Sequence, residues 1–587
     1  MPRSFAKCGN RRKSWGGQSC PQPALWPPGP AEKPVPGLKA RPTISVIRQA
    51  CLRYIFLTPL LALSLRGQTG PQVVTFHSDV DDSNQPYAIY LPNPLQAGKK
   101  YPLVISLHSE ESTHLLNLRQ ALGVANRLTG STPADARFLP PVRGIDFIIA
   151  CPNARGTMGY SGIAEKDVYD LLADVERRYP VDPARIFLTG ISMGGAGALR
   201  LALTRPGVWA GVAPVAPLPT PDLMDLAGNA LDLPIRIYQG EHDPIVPAEN
   251  ARTWQRRLLD LGDPADYIEF PGVRHNAWDF AYRPDALYAW FDKLRRNAFP
   301  ERVRFSTRAY RSDTAYWVRI DGLTPGRLAS IDARRAGPTE VRVETRDLDG
   351  FTLTLDRPAS VVSIDGAALR IRPAASLSFT KASGRWRAGR FDPQGKRPGA
   401  EGPIVEAVSS RHIYVYGTTG VRTADELEAR RATAERAARW STPHGRLALS
   451  LPVKADSALT AEDLDTADLV LFGTSETNQI VARLDSRLPL ALHAGAADYG
   501  LLFIAPIGKH YALVSSGLPW WTGVEEAARG GDPLAPQPYR VLTTFGDYIL
   551  FKGSLANVAA EGRFDRNWKV PPADASKLTA AGTVTIR

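Results

Sequence analysis

Three residues of this sequence are equipped for acyl-transfer chemistry, and they come in the order Ser192, Asp243, His275. Ser192 lies in GISMGG (190–195), where Gly190, Gly194 and Gly195 surround a single hydroxyl. A serine hydroxyl is a weak nucleophile until a base takes its proton, and the base needs an acid to hold its ring. The apolar run IFLT precedes the serine and MGGAGALRLAL follows it, so a strand is predicted to turn sharply into a helix at residue 192. Side chains at the three glycines would clash with that strand or helix. IRIYQG (235–240) runs into EHDPIVP and YIEF (267–270) into PGVRHNAW, placing Asp243 and His275 just past strand ends. All three are therefore predicted to meet at one sheet edge. The oxygen of a tetrahedral intermediate also needs two N–H donors. The amide of Met193 and that of Ser109, in the loop after PLVISLH, are the candidates.

Each assignment has competitors. Asp243 can instead cap a helix or open its Asp-Pro turn, and Asp260, Asp263 and Asp266 are rival acids on or after a helix. His242 is expected to decorate the loop. His108 and His114 precede the serine, and His108 is expected to shape the loop that donates the oxyanion amides. In that loop, LHSEEST, Ser109 and Glu111 stand where small glycines would leave most room; a β-carbon at 109 narrows or re-aims the hole, and a carboxylate opposes a developing anion. Tyr160, Trp278 and Tyr282 are candidates to line an acyl or sugar pocket, with plain packing as the alternative.

The elements that must position these groups alternate along the chain. YAIYL (87–91), PLVISLH (102–108), IDFIIAC (145–151), IFLTG (186–190), GVAPVA (211–216), IRIYQG and YIEF read as strands, and 165–179, 248–261 and 284–296 as helices with one apolar face. That is the pattern of a mostly parallel sheet flanked by helices over 73–299. After residue 300, VRFSTRAY, AYWVRIDG, VRVETRDLDG, FTLTLDRP and ASVVSIDG alternate apolar with polar residues and stop at turns, which predicts a β-sandwich-like domain over 301–388. GRFDPQGKRPGAEGP (389–403) reads as a linker, and 404–587 return to a smaller α/β pattern. His412, His444, His493 and His510 are too scattered to suggest a metal site.

The net charge of +12 is concentrated in a leader: residues 1–50 hold nine Lys/Arg and one acid, and nine prolines. That segment is too polar to bury a core, and from Gln68 onward the net charge is only +2, so nucleic acid is not an expected partner. Residues 51–67 resemble a secretory signal: Arg48 and Arg53 precede an apolar run from Tyr54 to Leu65 that is too short to cross a bilayer. Export to the periplasm or outside is expected, with no membrane span after signal removal. Residues 1–50 also fit a misplaced gene start. Three of the four cysteines lie in the leader, so Cys151 is alone in the rest and no disulfide framework is expected.

Together LHSEEST, ARGTMGYSGIAEKDVYDLLADVERRYPVDPARIFLTGISMGG, YQGEHDPIVP and FPGVRHNAWDF resemble secreted α/β-hydrolases of the prolyl oligopeptidase-like and polyhydroxybutyrate-depolymerase or feruloyl-esterase-like kind. The resemblance covers roughly residues 73–299 and implies Ser192 as nucleophile, Asp243 as acid and His275 as base. The residues beyond 300 resemble domains appended in large bacterial members. The chemistry needs no metal or organic cofactor. A small-molecule or polymer ester is the expected substrate, because only about five residues separate the signal-like segment from the first strand, leaving no room for the propeller of a peptidase of this kind. The alternatives are a serine-type peptidase and a catalytically inactive hydrolase-fold module that binds carbohydrate or surface polymer, the latter suggested by the altered loop at 109–111.

Overall fold

A computed structural model describes residues 70–110, 112–123, 145–442, 445–493, 495–523, 538–580 and 582–587. The leader, the signal-like segment and Glu111 lie outside the described residues. Among those described, no helix is long and apolar enough to cross a membrane.

The first sheet has eight strands: β1 (Gly70–Ser78), β2 (Ser83–Leu91), β3 (Tyr101–Leu107), β4 (Ile148–Pro152), β5 (Val181–Ile191), β6 (Gly211–Val215), β7 (Ile235–Gly240) and β8 (Ala265–Phe270). Their order is β1-β2-β4-β3-β5-β6-β7-β8, antiparallel where β1 meets β2 and β2 meets β4, and parallel everywhere else. This is the arrangement of an α/β-hydrolase. A parallel strand is covered on both faces, so every residue of β3 is buried. Side chains alternate between two cores: Leu103, Ile105 and Leu107 join one, Val104 the other.

Four helices cover the sheet: α1 (His114–Ala121), α2 (Ile163–Arg178), α3 (Met193–Thr204) and α4 (Ala248–Asp260). In α2 the stripe Ile163, Val168, Leu171, Leu172 and Val175 is buried, while Arg177 and Arg178 complement the negative end of the helix dipole. The helix expected over 284–296 is shorter. Residues 284–288 form one widened turn, 289–291 a single α-turn, and the chain then leaves the helix. Pro284 sets the start, and Leu287, Tyr288 and Phe291 are buried before the run of charge at 292–296.

The second region is one eight-stranded sheet curled over a single core, in place of two separate sheets. Its hinge is a 17-residue strand, Leu348–Ile364, which merges the two strands expected on either side of Pro358. The first half pairs with Val318–Leu323 and the second runs parallel to Glu340–Arg346, with an irregular register from Thr354 to Ala359 that absorbs the proline. The third region is a mixed seven-stranded sheet between Val453–Ala455 at one edge and Val558–Gly562 at the other.

The stretch 389–403 is packed into the body. Lys396 is 4 % and Glu401 2 % exposed; Lys396 Nζ donates to Asp547 at 2.5 Å, and the amide of Glu401 donates to the Tyr511 hydroxyl at 2.7 Å.

Candidate active site

β5 delivers Ser192. The strand is paired with β3 up to Gly190 and with β6 up to Ile191, and α3 begins at Met193. The chain reverses within one residue, so Ser192 takes φ 55° and ψ −110°, a left-handed conformation that costs a non-glycine residue about 1–3 kcal/mol. Its amide donates to the Val215 carbonyl at 2.9 Å and its carbonyl accepts from the Ala196 amide at 3.0 Å, which holds the turn. A side chain on Gly194 would overlap the Leu107 carbonyl, and one on Gly190 would overlap the carbonyl of Gly194. A side chain on Gly195 would overlap the Val215 carbonyl.

β7 and β8 deliver the other two groups to the same edge. Asp243 follows β7 by three residues, and its carboxylate is 0 % exposed. Oδ1 accepts from the amides of Ile245 and Val246, each at 2.9 Å, and Oδ2 from Gln239 Nε2 at 3.1 Å. His275 Nδ1 lies 2.7 Å from Oδ2. A carboxylate only accepts, so Nδ1 carries a proton, and in the neutral ring Nε2 is the nitrogen with the lone pair. The imidazole side chain is 18 % exposed, and Trp278 meets it edge-on, with ring centroids 5.6 Å apart and planes at 88°. The imidazole's hydrogen bond is the one to Asp243; among the described residues none joins it to Ser192 Oγ.

The loop after β3 crosses the start of α3, where the carbonyls of Leu107 and His108 abut Gly194. His108 is fully buried, with Nδ1 2.7 Å from the Ser109 carbonyl and Nε2 3.0 Å from that of Asn153. Burial pushes its basicity down, which suits a loop brace and not a base. Ser109 is half-buried in this loop. Met193 is the first residue of α3, so its amide is one of those a helix leaves without an internal partner.

The rival acids lie elsewhere. Asp266 pairs with Arg236 at 2.7 Å, Asp263 is bonded to Arg304, and Asp260 is exposed at the end of α4. All three sit near the start of β8, the opposite sheet edge from Ser192. His242 is exposed beside Glu241 and His114 faces the Asn153 side chain at 3.1 Å.

Two of the proposed pocket aromatics are core residues. Tyr282 is 0 % exposed and its hydroxyl lies 3.1 Å from Thr189 Oγ1, beneath the strand ends. Tyr160 is 4 % exposed, packs on Gly197 of α3 and donates to the His108 carbonyl at 3.1 Å, so it braces the loop from inside. Trp278 alone of the three stands beside a reactive group.

Sequence reasoning missed Gln239 and Arg155. Gln239 is fully buried in β7, and its Nε2 bridges Asp243 Oδ2 and the Val246 carbonyl at 2.9 Å. The only signal was a polar residue closing an otherwise apolar strand. Arg155 follows β4 and is also fully buried. It bonds Asp167 at 2.7 Å, Asp81 at 2.8 Å and Ser78 at 2.5 Å. Of the scattered histidines, His412 is buried and pushed down to about 4 by desolvation, and His444 lies outside the described residues.

Residues 163–281 match the phospholipase/carboxylesterase family model. Over 100 residues the chain is 30 % identical to acyl-protein thioesterase 1 of Gibberella zeae, covering 16 % of this chain and 43 % of that protein. The chain thus spans less than half the length of this curated relative. Similar solved structures include a thermostable esterase (24 % identity, 38 % of this chain and 63 % of that one, TM-score 0.30). Another is a ferulic acid esterase of Anaeromyces mucronatus (18 % identity, 39 % and 92 %, TM-score 0.30). A third is a fluorophosphonate-binding serine hydrolase of Staphylococcus aureus (17 % identity, 38 % and 99 %, TM-score 0.30).

Proposed function

We propose that this protein is a serine hydrolase that cleaves carboxylic esters through Ser192, His275 and Asp243. The observation that carries the reading is a hydroxyl held on a strained strand-to-helix turn, at the same sheet edge as an imidazole already bonded to a buried carboxylate. The match of residues 163–281 to carboxylesterases supports it.

In this mechanism substrate binding closes the gap between Ser192 Oγ and His275 Nε2, as catalytic hydrogen bonds often tighten only in the complex. Nε2 takes the proton, Oγ attacks the ester carbonyl, and the alcohol leaves with the proton that the imidazole returns. Water, activated in turn by Nε2, then cleaves the acyl-enzyme. Asp243 fixes the tautomer and stabilises the cationic ring. The amides of Met193 and Ser109 hold the oxyanion. Trp278 borders the acyl group. Export belongs to this reading, on the strength of the basic residues and apolar run at 48–65.

The open contact between Ser192 and His275 favours a second reading, a binding module that no longer turns over. A fluorophosphonate probe and short p-nitrophenyl esters separate the two. The enzyme is labelled at Ser192 and hydrolyses the esters, and Ser192→Ala loses both; absence of labelling and turnover in the wild type establishes the binder. Faster cleavage of a proline anilide than of an acetyl or feruloyl ester would make the enzyme a peptidase.

A further inference from the structure

A cavity of about 470 Å³ lies between α3 of the first region and the third region. Trp440 and Tyr539 stack in its wall, with ring centroids 4.8 Å apart and planes within 10° of parallel. Met158 and Val408 add apolar surface. Its charged groups are Arg200, Asp222, Arg311 and Arg540. Two of the three cations are matched: Arg200 pairs with Asp222 at 2.6 Å and Arg311 with Glu406 at 3.1 Å.

Arg540 is different. Its Nε donates to the Tyr539 hydroxyl at 3.1 Å and a terminal nitrogen to the Thr157 carbonyl at 3.4 Å, both neutral oxygens. Among the described residues no ion pair joins it to a carboxylate, and the described lining holds three cations against one anion. A guanidinium presents a planar fork that fits a carboxylate, and a half-buried one gains most from such a partner. An aromatic pair beside it supplies the flat apolar surface that a ring occupies, in a recess of the size small ligands fill.

We infer that this cavity is a binding site, separate from Ser192, for a small ligand that joins a planar ring to a carboxylate. The ring packs against Trp440 and Tyr539, and the carboxylate takes the free edge of Arg540. Arg200 comes eight residues after Ser192 along α3, which at 1.5 Å per residue places it about 12 Å down the helix. Ser192, Asp243 and His275 are not among the residues lining the cavity, so the assignment does not depend on whether Ser192 is catalytic.

The test titrates the full chain carrying Ser192→Ala with 1-naphthoate and with its neutral counterpart 1-naphthamide, following tryptophan emission. Saturable binding with about a ten-fold preference for the acid is expected, as befits one charge-assisted pair. Arg540→Gln should abolish the preference and Arg540→Lys restore part of it. Asp222→Asn, which releases Arg200 from its partner without touching the Arg540–Thr157 contact, should tighten naphthoate and leave naphthamide unchanged. Equal binding of acid and amide, a preference that survives Arg540→Gln, no tightening in Asp222→Asn, or no saturation at millimolar concentration would each overturn the assignment.

Discussion

At the scale of single residues, the buried carboxylate of Asp243 is held by four donors, and Gln239 is the one that can be removed without cutting the backbone or the imidazole contact. Gln239→Leu should free Oδ2 to rotate and lower kcat about ten-fold with KM unchanged, because the loss falls on transition-state orientation. In an Asp243→Asn background the same change should have little further effect; a full additive loss would assign Gln239 a merely structural part. Ser192, Asp243 and His275 were legible in the sequence because each follows an apolar run whose end fixes its place on the sheet edge. Gln239 was not, since a strand residue's partner depends on which face it occupies. For Tyr160 and Tyr282 the sequence leaves pocket wall and plain packing both open, because residue type carries no information on whether a ring falls above or below the strand ends.

At the scale of elements, the loop between β4 and α2 is set by Arg155, itself in a left-handed conformation at φ 62° and bonded to carboxylates on two different segments. Burial pushes Asp167 up to about 6 despite the guanidinium beside it, which shows how much desolvation the pair must offset. Arg155→Met leaves Asp81 and Asp167 without a cation in the interior and should cost about 3–5 kcal/mol in denaturant unfolding. Adding Asp167→Asn should recover part of that loss; no recovery would mean that packing, and not charge, dominates. Strands β2 to β8 of the first sheet and helices α2 and α4 were readable because apolar period and length agree there. The end of the helix near residue 291 was not, as the apolar spacing continues to Leu294, which still packs on the core after the chain has left the helix. In the second region Pro358 read as a terminus, yet an irregular register lets a single strand run through it.

At the scale of the whole molecule, the three regions meet around Arg311, which pairs with Glu406, while Glu401 accepts from the amides of Tyr310 and Arg311 at 2.5 and 3.0 Å. Burial foremost, and then the charge of Glu406, push Glu401 up to about 8 from an ordinary 4.5. The folded chain therefore keeps a proton that the unfolded chain releases above 4.5. The resulting stability is complete below that pH and is lost as pH rises through about 8. The melting temperature should fall across that window, and Glu401→Gln should flatten the fall; an unchanged slope would locate the proton elsewhere. None of this was legible: 389–403 has the composition of a spacer, and the partner that fastens Lys396 lies 151 residues away. The tail clasps the first region through Arg155 and Asp81, and on its own side it offers main-chain atoms, the carbonyl and amide of Ala448 and the amide of Ser450. Any residue but proline at 448 and 450 thus keeps these bonds, whereas a change at 81 or 155 removes the acceptor or the donor itself. At this clasp the recognising side chains belong to the first region alone, while elsewhere along the joint the third region adds its own, Arg411 to Asp82 and Arg540 to Thr157.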